Sequence, residues 1–555
     1  MPLDPVYYVD DFGQVIAGVR ARYGFLLNGA EQRHLATLDG LGPTARMLYA
    51  RLVNRKGPCF RVARLTYPEI GSLSAALAEL LAEGLVEPCD DAMDPDARAR
   101  LYACFTHAEL KASLRPHAPA GPRKDALLTW LSAWDGCDAW LMAFLRAHEV
   151  VRIPERDPWA FLRFLFFGDL RDNLSDFVTR ALGHIVTETV EPARLRAHFQ
   201  TRGAADDAYR MAMLYAAFRS RRDRQPAVAT LAWWQAQAVD RAALSAGAST
   251  VDRLVDRLGR LLEREGEMDA ALALYATCPV APARERRARL LIKRGRRDEA
   301  LSVLGAMAES PCHAEEDYVA RHLLARLEKK SRRSEARHYQ QTSDCLVIDY
   351  PDGAVEAAVL AHYHAAGWQG VHSENWLWNA AFGLLLWDVI YDPDIGVFHS
   401  PLQFAPSDLH EPVFYERRRG AIEARLALLA DPGAAHAVMI GHFDAKLGIA
   451  NPFVHWHEDL PRLLGILVDR LPPHGLAEVL RRIGRDIKRH ARGLPDLFLW
   501  TDDSYRFVEI KAENDHLSPH QYQWLRYFAD SDIRVSLEKI ARPRGGVSCL
   551  TASAL

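Results

Sequence analysis

At 555 residues the chain exceeds one ordinary domain, and a scale of about 150 residues each implies three to four. Its apolar share of 49% supplies ample core, while a formal charge of −3 excludes a uniformly basic nucleic-acid binder, so any DNA surface must come from local segregation of the 69 lysines and arginines. The longest apolar run, Trp376 to Ile390, contains Asn379 and Asp388 and is too short to cross a bilayer, so a buried helix and no membrane partner are expected.

Met1-Pro2-Leu3-Asp4 lacks the basic and apolar regions of a signal peptide, so a cytoplasmic protein with reduced thiols is expected; its eight cysteines include no Cys-x-x-Cys. Tyr7 to Leu27 and Thr44 to Asn54 carry apolar residues at helical spacing, Phe60 to Leu65 alternates as a strand, Leu73 to Glu83 is helical and Leu85-Val86 reads as a second short strand. These elements predict a winged-helix-like module over 1–90. Asp90, Asp91, Asp94 and Asp96 between prolines read as an acidic linker. Two short helices follow, Thr106 to Leu114 and Gly121 to Leu131, which resemble a SAP motif, a small DNA-binding helix pair. Lys111, Arg123 and Lys124 are its natural phosphate contacts, because positive groups at helix ends position a duplex without reading its sequence. The region 91–240 is therefore expected to be a SAP-like helical body. Within it, Trp159 to Leu170 is aromatic enough for core packing, and Arg219, Arg221, Arg222 and Arg224 form a basic knot that suits a phosphate or a helix C-terminus.

Over 241–345, Glu265-Gly266-Glu267-Met268-Asp269 is echoed by Arg294-Gly295-Arg296-Arg297-Asp298, twenty-nine positions later. A glycine turn between paired helices predicts TPR-like repeats. The densest basic segment lies here: Arg284, Arg286, Arg287, Arg289, Lys293, Arg294, Arg296 and Arg297 face only Glu285 before Asp298. Arg286 and Arg287 are the candidates for holding a terminal phosphate through paired guanidinium hydrogen bonds; a solvated helix face or general attraction to the DNA backbone fits the segment equally. Cys312-His313 is adjacent rather than ligand-spaced, which argues against zinc.

In 346–555, Ala354 to Ala366 is helical and ends at Gly367, and a further helix is expected over Asn375 to Ile390. His455 and His457 alternate as on a strand, without further ligands nearby. Arg481, Arg482, Arg485, Lys488, Arg489 and Arg492 line a helix opposed only by Asp486, a rail for a DNA backbone, of which Arg485, Lys488, Arg489 and Arg492 are the proposed contacts. Next, Leu497 to Trp500 reads as a strand, Thr501 to Ser504 as a turn and Tyr505 to Lys511 as the returning strand, so Phe507, Glu509 and Lys511 share one face. If the hairpin register brings Asp496 to that face, two carboxylates and an ammonium meet. Such oxygens suit Mg2+ or Mn2+, which an enzyme hydrolysing phosphodiesters needs. On spacing alone, an exposed Glu/Lys ladder fits the same residues.

Pro495-Asp496, with Glu509-Ile510-Lys511 following thirteen positions after Asp496, resembles the PD-(D/E)xK nuclease signature. With Arg492-Gly493-Leu494, Asn514-Asp515-His516-Leu517-Ser518 and Gln521-Tyr522-Gln523-Trp524-Leu525, it resembles the VRR-NUC domain of the Fanconi-anaemia-associated nucleases, and Arg46 to Leu52 matches the same family. The resemblance covers nearly the whole chain. It implies a multidomain, mostly α protein with a C-terminal α/β nuclease domain, acting on branched DNA near 5′ flaps and as a 5′ to 3′ exonuclease in interstrand crosslink repair. It further implies Glu374 as a third acidic residue, Asp496, Glu509, Glu374 and the Ile510 carbonyl as metal ligands, and Lys511 as the group that orients or deprotonates the attacking water. Without the family, Glu374 is a helix N-terminal residue favoured by the dipole. Eukaryotic members carry a cysteine-rich ubiquitin-binding finger that has no counterpart here. A four-way-junction nuclease and an inactive DNA-binding scaffold are the rival readings, and the oligomeric state is not legible.

Overall fold

The computed structural model describes residues 6–543 apart from 56, 58, 90–92, 94, 116, 118–122, 135, 156, 171–173, 175–176, 178–185, 329–334 and 352. The chain divides into two compact units, 1–184 with 197–209, and 185–196 with 210–555.

In the first unit, helices Tyr7–Tyr23, Gly29–Gly40, Pro43–Val53 and Leu73–Ala82 accompany three short strands, β1 (Cys59–Arg61), β2 (Glu87–Pro88) and β3 (Val150–Arg152). The antiparallel order is β1-β3-β2. The expected strand 60–65 stops at Arg61 because its partner β3 begins at Val150, and a turn of 3-10 helix follows. Helix Gly29–Gly40 is opened by a capping box, with Asn28 accepting from the Glu31 N–H and Glu31 accepting from the Asn28 N–H. Helix Trp159–Phe167 buries Phe161, Phe164, Phe166 and Phe167, so those rings are core. The SAP-like pair is His107–Ser113 and Lys124–Ala133, and Lys124 Nζ donates to the Phe105 carbonyl (2.6 Å), which ties the second helix to the first. Gly121 and the linker aspartates 90, 91 and 94 fall outside the described residues.

The second unit begins with a helical stack: Ala248–Glu265, Met268–Ala276, Ala283–Lys293, Arg297–Glu309 and Ala314–Leu327, each packed on the next. The turns sit where the repeat places them, at Gly266 (φ +90°) and Gly295 (φ +73°), left-handed conformations that a Cβ would strain.

Its C-terminal part holds a five-stranded sheet of order β4-β8-β7-β6-β5, formed by β4 (Cys345–Val347), β5 (Gln369–His372), β6 (Leu497–Trp500), β7 (Tyr505–Lys511) and β8 (Val535–Ala541). The β6/β7 pair is the expected hairpin, with Trp500 opposite Tyr505. β7 runs parallel to β8 through the helix Pro519–Asp530. Alternation sorts the two faces. Leu497, Leu499, Val508 and Ile510 pack on helix Val355–Ala365, while Phe498, Trp500, Tyr505 and Phe507 join a large helical core with Trp378, Trp524 and Phe528. The apolar helix expected over 375–390 is two segments, Trp376–Leu385 and Trp387–Ile390. His442 Nδ1 lies 2.6 Å from the Leu384 carbonyl, occupying an acceptor that an unbroken helix would offer to residue 388. His455 and His457 lie in an irregular segment rather than on a strand.

Candidate active site

Along β7 the row Tyr505, Phe507, Glu509, Lys511 points one way, and its apolar half ends where its charged half begins. Phe507 stacks on Phe498 at 4.8 Å, whereas Glu509, only 1% exposed, receives hydrogen bonds at one oxygen, Oε1, from Lys511 Nζ (2.5 Å) and Gln521 Nε2 (2.6 Å). Leu497 is opposite Val508, so Asp496, one step before β6, meets Glu509. Its Oδ2 accepts the Ile510 N–H at 2.8 Å. A strand residue directs its N–H and C=O to the same side, so the Ile510 carbonyl also faces the Asp496 edge.

The backbone of Asp496 organises the third carboxylate. Its carbonyl accepts the N–H groups of Ser373 (2.8 Å) and Glu374 (3.0 Å), which brings the chain leaving β5 across the start of β6. Glu374 is held at φ +30°, a strained conformation for a residue with a Cβ. Asn375 fastens it: its Nδ2 donates to Glu374 Oε1 (3.0 Å) and its Oδ1 accepts the Leu494 N–H (3.1 Å). Glu374 thus precedes the helix rather than forming its first turn. The approach to Pro495-Asp496 turns at Gly493 (φ +75°), where a Cβ would stand 2.4 Å from the His520 ring. Ser518 and Gln521 form a capping box, so the residue that caps the helix also holds Glu509. This second role of Gln521 is the part of the site that sequence reasoning missed; a glutamine at N3 after Ser-Pro was its only signal.

Electrostatically, burial and neighbouring carboxylates outweigh the Lys511 ammonium bonded to Glu509. Burial, then the neighbouring Asp496 carboxylate, pushes the Glu509 carboxyl up to about 8 against the pull of Lys511. Burial also raises Asp496, opposed by the Ile510 N–H and Lys511, and Glu356 and His372 act on it too. Among the described residues no three His, Cys, Asp or Glu side chains close on one point tightly enough to grip an ion unaided. The donor chemistry still fits a hard divalent cation: carboxylate oxygens and a strand-end carbonyl at an edge, with the remaining positions suited to water or phosphate, as magnesium prefers.

The basic positions fare differently from their appearance in the chain. Arg286 is clamped by Glu263 through two hydrogen bonds (2.8 and 2.9 Å), Arg284 pairs with the buried Glu316, Arg289 with Glu285, Arg294 with Asp269 and Arg296 with Glu299. Arg287 is half-buried. Near the sheet, Arg481 is held by Glu423 (2.8 and 2.7 Å) and by Glu478, so Asp486 is not the only opposing acid. Arg482 stacks on Trp524 (4.6 Å) and Tyr527 (4.2 Å), and burial lowers it to about 10. Arg489 pairs with Asp486 at 2.6 Å, and that aspartate also ends helix Pro473–Arg485 and starts the short helix Ile487–His490. Arg485, Lys488 and Arg492 are exposed, as is Arg123; Lys111 is half-buried.

Comparison with known proteins decides what this assembly is. The chain is 32% identical to the Fanconi-associated nuclease 1 homolog of Pseudomonas aeruginosa over 96% of its own length and 95% of that protein. The chain belongs to the Fanconi-associated nuclease family. Family models match a FAN1 HTH domain over 6–87 and a VRR-NUC domain over 430–539. The second range includes Asp496, Glu509 and Lys511 and leaves out Glu374, which reaches the site through its backbone bonds to Asp496. Human Fanconi-associated nuclease 1 is 35% identical over 186 residues, 31% of this chain and 18% of that one. A crystal structure of paFAN1 bound to 5′ flap DNA with a two-nucleotide flap and a gap superposes with a TM-score of 0.81 at 28% identity, covering 98% of this chain and 100% of that one. The protein is accordingly a mostly helical nuclease of a DNA-repair family that uses divalent metals. Among the described residues no helix is long and apolar enough to cross a membrane.

Proposed function

We propose that this protein is a structure-selective nuclease that incises DNA near 5′ flaps, degrades it from 5′ to 3′ and acts in interstrand crosslink repair, with Mg2+ or Mn2+ held by Asp496, Glu509, Glu374 and the Ile510 carbonyl. The observation that carries the reading is the cluster of Asp496, Glu509 and Lys511 where β6 and β7 pair, with Glu374 fastened to the Asp496 backbone beside it and Glu509 pushed up to about 8 by burial and then by the Asp496 carboxylate. A divalent cation supplies charge neutralisation at the scissile phosphate and a water of lowered pKa. The chain's own residues do the rest. Lys511 and Gln521 occupy Oε1 of Glu509, fixing that side chain and leaving Oε2 for a further ligand. Lys511 orients or deprotonates the water for in-line displacement. Lys111, Arg123, Arg485, Lys488 and Arg492 contribute attraction to the DNA backbone. Branched DNA as substrate draws support from the paFAN1 complexes with 5′ flaps.

The test is cleavage of end-labelled 5′ flaps, four-way junctions and plain duplexes with manganese, by the wild type and by Asp496→Asn. Preferential cutting of the flap by the wild type alone is expected. Preference for the four-way junction would replace the flap reading, and no cleavage of any substrate would leave a DNA-binding scaffold.

A further inference from the structure

Helix Ala248–Glu265 buries Val251, Leu254, Val255, Leu258, Leu261 and Leu262 and turns Arg253, Arg257, Arg260 and Arg264 to solvent, at successive steps of four, three and four residues. That spacing stacks the four guanidinium groups on one face. With Arg222, Asp223 and Phe218 from the preceding segment, Arg257, Arg260 and Arg264 line a cavity of about 320 Å³.

The helix also carries acids, and each is engaged away from Arg257 and Arg264. Asp252 is clamped by Arg241 (2.5 and 2.7 Å), Asp256 by Arg260 (3.0 Å), and Glu263 by Arg286 and the Tyr275 hydroxyl (2.7 Å), while Glu265 accepts the Ala227 N–H (2.8 Å). Asp223 lies 3.3 Å from Arg222 Nε. Arg257 and Arg264 have no hydrogen bond or ion pair among the described residues. Phe218, which lines the cavity, is 1% exposed, and the half-buried Tyr215 ring is faced by Arg253 (4.5 Å) and Arg257 (5.8 Å). Exposed guanidinium groups without a carboxylate partner suit phosphate oxygens.

We propose that this arginine stripe is a second DNA-contact site, which takes phosphodiesters of the DNA backbone at a place separate from the acidic centre. Arg253 to Arg264 spans about 16 Å of helix, a length over which one DNA strand presents about five phosphates. The site holds DNA by charge and places no group on the reacting phosphate. It rests on the reading of the protein as a DNA nuclease.

The test is the double variant Arg257→Ala with Arg264→Ala, beside a control in which Arg296 and Arg321, exposed but matched by Glu299 and Asp317, are replaced. Binding to flap, duplex and single-stranded DNA is followed across salt concentrations with calcium in place of magnesium, and cleavage at saturating flap is measured in parallel. Loss of two phosphate contacts lowers the salt slope by about two, so between 50 and 200 mM salt the wild type should lose about tenfold more affinity than the stripe variant. The control should keep the wild-type slope, and the cleavage rate at saturation should stay unchanged in both. Loss on duplex or on single strand identifies which backbone is held. A stripe variant with the wild-type slope on all three DNAs, or a control that loses as much, overturns the inference. A wild type that neither binds nor cuts DNA overturns the nuclease reading instead.

Discussion

The acidic centre on the sheet and the basic segment 284–297 each gather side chains of one sign, the first through folding and the second along the chain, and the fold treats them in opposite ways. Where β6 and β7 pair, Asp496 and Glu509 come together and Glu374 is tied to the Asp496 backbone, with Lys511 bonded to Glu509, so carboxylates outnumber the bonded cation. In the helical stack, Glu263, Glu316, Asp269 and Glu299 arrive from neighbouring turns and match five of the arginines with the help of Glu285. Unmatched charge marks a site better than dense charge, because a matched pair at a surface holds its partner and little else.

The comparison breaks most visibly if the centre is neutralised. Asp496→Asn or Glu509→Gln should abolish cleavage while flap affinity, measured in parallel by fluorescence anisotropy, changes little, since each removes a negative oxygen and almost no volume. Full activity in either variant would remove that residue from the ligand set. Lys511→Ala should slow cleavage roughly 10²–10⁴-fold, the range for a group that acts on the proton, and excess manganese should not restore it. Gln521→Ala should cost about 10- to 100-fold in activity or metal affinity, the usual effect of releasing a group that orients a ligand; metal titration of the cleavage rate separates this from unfolding.

Burial of Glu509 beside Asp496 also predicts a pH signature. The folded protein keeps the Glu509 proton to about 8, whereas the unfolded chain releases it near the ordinary value of 4.5. Between those limits the folded state binds the extra proton, so metal-free protein should lose stability as pH rises and level off above about 8. Melting temperatures in chelator from pH 5 to 9 should show this fall in the wild type and a flatter profile in Glu509→Gln. The smallest effect is expected on the matched side. Arg286→Ala should reduce stability by less than about 1 kcal/mol and weaken flaps with a 5′ phosphate or a 5′ hydroxyl equally. Arg287→Ala, at a residue without a carboxylate clamp among the described residues, should act more on the phosphorylated flap if that residue holds the end.

The parts of this arrangement visible in the chain are those decided within a few residues. Glu509 and Lys511 share a face by strand alternation, and Asp496 joins them once the register of the one hairpin is fixed. Glu374 was legible only through family resemblance, because its place depends on pairing of β5 with β6 across more than a hundred residues. β3 escaped notice because three residues are too few to alternate, although it is the central strand of its sheet. The pairing of the charges in 284–297 is not legible in the sequence, because their carboxylate partners lie up to 32 positions away. The stripe on helix Ala248–Glu265 was hidden by the opposite error: Asp252, Asp256, Glu263 and Glu265 make that helix look neutral until each is seen engaged elsewhere.

Asp496 accepts the amides of Ser373, Glu374 and Ile510 all by itself, one residue closing contacts that reach 123 positions along the chain. Closing so long a loop is entropically unfavourable before the strands on either side have paired, so these bonds belong to the late steps of folding. Those three amides are therefore a built-in gauge of assembly. Their hydrogen-exchange protection reports whether the centre is formed, without substrate or metal, and a variant that exchanges there while the core of β6 and β7 stays protected has lost the site and kept the fold.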